Sequence, residues 1–138
     1  MSINRRRYGV VITLLSLLST AIIFEYWKNG HLNAILKISE FISLIVLVIS
    51  ITITYINTGL WKFTHTSLEK LDEREVALTS KSLRYAYSIF TIIVLILLLS
   101  FSIVEKPINI VLVTSLILLA HLLPASVIIW LVKPSQNE

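Results

Sequence analysis

The chain contains no cysteine, and that absence removes disulfides, thiolate metal sites, iron–sulfur clusters and thiol nucleophiles together. Charge is scarce too: Asp, Glu, Lys and Arg make up 14% of the 138 residues, against about 25% in soluble domains. Glycine and proline occur three times each. The chain has no Gly-x-x-x-x-Gly-Lys phosphate loop, no His-Glu-x-x-His metal motif and no Gly-x-Ser-x-Gly nucleophile turn. No segment alternates apolar and polar residues over a strand's length, which argues against a transmembrane barrel.

What the chain does have is apolar bulk. Hydrophobic residues are 56% of the total, more than a soluble domain of this size can bury. They gather in four runs without Asp, Glu, Lys or Arg: Tyr8–Phe24, Phe41–Trp61, Tyr85–Val104 and Pro107–Val132. About 20 apolar residues at roughly 1.5 Å each cross the hydrocarbon core, and helices satisfy their own backbone there. Extending the first run through Tyr26 and Trp27 gives spans of about 8–27, 39–61, 85–104 and 107–132. The expected fold is all-α: an integral membrane four-helix bundle forming one domain over residues 1–138.

The basic residues set an orientation. Arg5, Arg6, Arg7, Lys62, Lys70, Arg74, Lys81, Arg84 and Lys133 fall on one side, and only Lys28, Lys37 and Lys106 on the other. The positive-inside rule then places both termini and the loop 62–84 in the cytoplasm, in a plasma (inner) membrane. The formal charge of +4 is accounted for by this asymmetry, and no nucleic-acid partner is expected. A basic N-terminus before an apolar run has the outline of a signal peptide. Phe24-Glu25-Tyr26-Trp27 follows the run instead of small residues, so the first helix is expected to be retained.

The loop before the third span is the most charged stretch. Thr66-Ser67-Leu68-Glu69 has capping-box spacing, and neither Gly nor Pro occurs from there to Val104. A helix starting near Thr66 would form a cytoplasmic extension continuous with the third span. Glu69, Asp72, Glu73 and Glu75 would suit its N-terminal dipole, with Lys81 and Arg84 meeting anionic headgroups. Glu69, Asp72 and Glu73 share one face of such a helix, but Lys70 and Arg74 are interleaved with them, which argues against a metal or catalytic carboxylate site. Two readings remain: a solvated helix, or a surface through which Glu69, Asp72, Glu73, Arg74 and Glu75 dock a partner. Leu71-Asp72-Glu73-Arg74-Glu75, with Arg84 and Tyr85-Ala86-Tyr87 after it, resembles the membrane-entry segment of small prokaryotic multi-span proteins carrying an LDER-type motif before a span. The resemblance covers residues 71–90 and implies a membrane protein, with no residue role.

His121 is the one ionisable side chain near the middle of a run. Such residues are costly in lipid and are functional candidates. Pro124 lacks the N–H that the Ala120 carbonyl would receive, so a kink is expected beside the histidine. A proton or ion path is one reading. A neutral imidazole bonded to a hydroxyl such as Ser16, Ser50, Thr91 or Ser100 is the plainer one. His65 stands alone in the loop and supplies no second axial ligand for a haem; no metal or cofactor is expected. Glu25 and Glu40 flank an outer loop holding Lys28, His31 and Lys37, as interfacial residues do.

The function expected from these residues is a non-enzymatic structural or regulatory membrane module. It would self-associate, or dock a partner membrane protein through helix 66–85. The alternative is a small channel or proton-coupled transporter using His121.

Overall fold

In the computed structural model, residues 3–28, 34–67 and 70–132 are described. Helix α1 is Ile3–Lys28, and α2 is Ala34–Ile51 continued by a π-helical turn, Thr52–Ile56. The short α3 is Leu60–His65, α4 is Glu73–Ile103 and α5 is Ile110–Leu131. No strand occurs among the described residues. Four helical stretches, Ile3–Trp27, Ala34–Ile56, Glu73–Ile103 and Ile110–Leu131, are long and apolar enough to cross a membrane. The chain is built as a membrane protein.

Two helix starts differ from the sequence reading. α4 begins at Glu73 and not near Thr66. Asp72 is its N-cap: Oδ1 accepts from the Glu75 N–H at 2.6 Å, and Glu75 Oε2 accepts from the Asp72 N–H at 3.2 Å. This reciprocal pair is a capping box six residues downstream of the expected one. Thr66 instead closes α3, its N–H donating to the Lys62 carbonyl at 2.9 Å, and Glu69 lies outside the described residues. α5 begins at Ile110 because Asn109 Oδ1 accepts from the Leu112 N–H at 2.7 Å, which leaves Pro107 ahead of the cap and not in the first turn.

The π-turn and Gly59 together reverse the chain. Thr52 accepts from the Asn57 N–H five residues on, at 3.0 Å, and the wider turn leaves Tyr55 fully buried. Gly59 then adopts φ 73°, a left-handed conformation that a Cβ would strain. α3 folds back from this point and packs on α5.

The helices pack in the order α2–α1–α5–α4, as an open row in which α2 lies chiefly on α1 and α4 chiefly on α5. The α1–α2 seam is made of small and hydroxyl side chains. Gly9, Thr13, Ser16 and Thr20 recur at three- and four-residue spacing, so one face of α1 stays narrow. Across it, the Thr13 and Ser50 hydroxyls meet at 2.5 Å and those of Thr20 and Ser43 at 3.0 Å. Ser43 also donates to the Ser16 carbonyl at 3.1 Å. Lipid tails are as apolar as leucine, so close approach and hydrogen bonds, not burial of apolar area, hold this pair.

The core lies at the end of the molecule that carries Arg5–Arg7, called here the basic end. Val10 of α1, Tyr55 of the π-turn, Leu60 of α3, and Leu122, Ala125, Ile128 and Ile129 of α5 form one buried cluster, with Leu78 of α4 packed against it. The buried residues of α4 are Thr79, Ser82 and Ala86, all in its first half. Tyr55 and Ser126 share a hydrogen bond at 2.7 Å inside this cluster. The opposite end carries Glu25 of α1 and Asn109, the N-cap of α5. There an apolar groove of about 470 Å³ opens between α1 and the α4–α5 pair, and Asn109 donates to Glu25 at its rim.

Candidate functional site

The back-folded α3 brings together residues far apart in sequence. Trp61 and His65 lie four apart on one face of it, and their rings stack at 4.0 Å with planes 6° apart. The His65 ring in turn faces His121 of α5, with centroids 6.3 Å apart and planes inclined by 15°. His65, read from the sequence as a lone loop residue, is thus brought up to His121 from another helix. The second histidine missing from the sequence reading therefore does lie beside His121.

Neither imidazole uses a hydroxyl from a neighbouring helix. His121 Nδ1 lies 2.8 Å from the Ile117 carbonyl, one turn back in its own helix. His65 Nδ1 lies 3.0 Å from the Trp61 carbonyl and 2.8 Å from the Thr64 hydroxyl. A carbonyl oxygen only accepts, so Nδ1 of each ring carries the hydrogen and Nε2 of each neutral ring is left as an acceptor. Three of the four hydroxyls expected as partners are engaged elsewhere. Ser16 donates to Ile12, Ser50 pairs with Thr13, and Ser100 donates to Ile96. Both histidines are exposed, so they sit on the flank of the row and not inside it.

His121 closes one end of a lateral groove of about 390 Å³ between α4 and α5. Phe90, Val94, Leu97, Leu112, Leu116 and Ala120 are among its walls, and His121 is the only polar residue lining it. The depth of this end is fixed by a nearby contact. The Ser82 hydroxyl donates to the Pro124 carbonyl at 2.5 Å, so the turn of α4 carrying Lys81 and Arg84 lies beside the turn of α5 just past His121. A turn and a half further on, the Arg7 guanidinium lies 4.9 Å over the Trp130 ring. His121 is central along α5, yet its neighbourhood is the basic end.

The acidic stretch is divided. Asp72 and Glu75 are engaged in capping α4, which accounts for both by helix chemistry alone. Asp72, Glu73 and Arg74 are exposed on that capped end, with Glu75 half-buried. No group of three or more His, Cys, Asp or Glu among the described residues is arranged to hold a metal ion. The outer-loop residue His31 lies outside the described residues.

A sign of the histidine pair was present in the sequence. Gly59 just before Leu60-Trp61 allows a reversal, and Trp61 and His65 have helical i, i+4 spacing. What no local pattern indicates is that the reversed segment packs along α5. No protein-family model matches the chain, and no curated protein or solved structure matches it.

Proposed function

We propose that the chain is a four-span protein of the plasma (inner) membrane with both termini and the 62–84 segment in the cytoplasm. In this reading it is a non-enzymatic structural or regulatory module that self-associates or docks a partner membrane protein at its cytoplasmic face. The docking element is shorter than helix 66–85 and consists of the first turns of α4. The observation that carries the reading is the capped, anchored start of that helix. Asp72 and Glu75 fix its first turn, and Ser82 ties it to Pro124 only a few turns later. Glu73 and Arg74 are thus held outward on a rigid stub, with no ion-pair partner among the described residues. Ordering has been settled before any partner arrives, which lowers the entropy lost on binding.

A transporter or channel using His121 is the second reading, and the His65–His121 pair is what favours it. The groove beyond His121 counts against it, because its walls are otherwise apolar and offer an ion or proton no onward stations.

A photo-crosslinking amino acid at Arg74, with a second at Ile103 as a lipid-facing control, tests the docking reading in intact membranes. A discrete protein adduct from position 74 and none from 103 is the expected result; an adduct of twice the chain mass signifies self-association. Lipid adducts alone from both positions would reject the docking reading.

A further inference from the structure

We propose that the outward face of α4 is a lateral binding site for one anionic phospholipid, its phosphate held at Lys81 and Arg84. An acyl chain would lie along the apolar residues that follow on the same face. The site rests on α4 crossing the bilayer and on nothing in the docking reading.

Packing sets this face. Thr79, Ser82 and Ala86 are the buried residues of α4, three and four apart, and Ser82 is bonded to the Pro124 carbonyl of α5. The other side of the same turns is therefore held away from α5. There a recess of about 600 Å³ is lined by Ala77, Ser80, Lys81, Arg84, Tyr85 and Ser88, all exposed.

Three observations select the ligand. First, two cations and no acid line the recess. Lys81 and Arg84 are three apart on one helix face, where like charges repel. No Asp or Glu occurs between Glu75 and Glu105, or anywhere in α5, to offset them. An anion relieves that repulsion. A guanidinium fork beside an ammonium, with the Ser80 and Tyr85 hydroxyls at hand, suits the several oxygens of a phosphate. Second, the face changes character as a phospholipid does. Lys81, Arg84, Ser88, Ile92, Leu95 and Leu99 follow at three- and four-residue spacing, so they form one line along α4. Ile92, Leu95 and Leu99 are exposed. The eleven residues from Ser88 to Leu99, at roughly 1.5 Å each, span about 16 Å, close to one leaflet of hydrocarbon. An acidic peptide would answer the cations and leave this apolar line bare; an uncharged lipid would do the reverse. Third, Arg84 is the last charged residue before the span, and Tyr85 beside it is an aromatic ring of the kind that settles among headgroups. A general attraction of basic residues to a negative surface would engage Lys62 of α3 as well, which is exposed but does not line the recess.

The test is native mass spectrometry of the full chain released from nanodiscs of phosphatidylcholine and phosphatidylglycerol in equal parts. One phosphatidylglycerol retained per chain is expected, in preference to phosphatidylcholine and resistant to excess soluble glycerol phosphate. Arg84→Gln should weaken retention about tenfold. Ser80→Glu keeps both cations but supplies an acid four residues ahead of Arg84, and should weaken retention to a similar degree. Lys62→Gln removes the same charge outside the recess and should retain the lipid as the native chain does. All three positions are exposed, so thermal unfolding should be unchanged. No preference for phosphatidylglycerol, equal retention by Arg84→Gln and the native chain, an equal loss in Lys62→Gln, or displacement by glycerol phosphate would overturn the proposal. These outcomes are independent of crosslinking at Arg74, so the two readings fail separately.

Discussion

Ser82 of α4 donates its hydroxyl hydrogen to the carbonyl oxygen of Pro124, on the antiparallel helix α5. The serine is fully buried, and the bond joins the helix that carries Lys81 and Arg84 to the most buried stretch of α5. It is also the contact that sets Lys81 and Arg84 beside the His121 end of the lateral groove.

Replacing Ser82 therefore separates a hydrogen-bond effect from a packing effect. Ser82→Ala should lower stability by about 0.5–1.5 kcal/mol, the usual net value of one such bond. Ser82→Leu should cost about 1–3 kcal/mol or more, because the site has no spare volume and the helices must part. Reversible unfolding in mixed micelles, with denaturing detergent as the variable, measures both. An equal effect of the two substitutions would mean that the α4–α5 contact is looser than described.

The α1–α2 seam makes a sharper prediction at Gly9. A Cβ there would collide with the Thr54 side chain, which is itself 1% exposed and has nowhere to move. Gly9→Ala should destabilise by about 1–3 kcal/mol despite its better helix propensity. Adding Thr54→Ala vacates the space and should restore most of the loss. The double-mutant cycle should show a coupling energy of about 0.5–3 kcal/mol. Additive losses would place the two residues out of contact.

At the start of α4, Asp72→Ala should cost about 1 kcal/mol of local helix stability and Asp72→Asn much less, since the amide oxygen still caps. Hydrogen exchange at the backbone amides of residues 73–77 reports this directly. Thr66→Ala should leave those amides unaffected. Protection lost in Thr66→Ala and kept in Asp72→Ala would return the helix start to Thr66.

That helix start illustrates what local sequence conveys. The four apolar runs locate the spans because the bilayer reads only length and hydrophobicity, and packing has little say in it. The start of α4 is different. Thr66–Glu69 and Asp72–Glu75 both have capping-box spacing, and the choice between them follows from where α3 stops, at His65. The hydroxyls were legible as helix-joining groups, but their partners were not. Ser16 and Ser50, considered as companions for His121, join the α1–α2 seam instead, where the spacing of Gly9, Thr13, Ser16 and Thr20 already marks a narrow face. Pro124 suggested an interruption beside His121, and α5 continues through it to Leu131. His65 escaped notice because its relation to His121 depends on a reversal at Gly59 and a tertiary contact 56 positions away, which no helical period encodes.

The central claim is that four helices cross the membrane with both ends of the chain and the α3–α4 segment on the basic, cytoplasmic side. The most direct measurement is a set of fusions to a reporter active only in the cytoplasm, placed after Glu138, within residues 66–70 and within residues 29–33. The account predicts activity from the first two positions and none from the third. Activity from the 29–33 fusion, or silence from the 66–70 fusion beside an active C-terminal one, would contradict it.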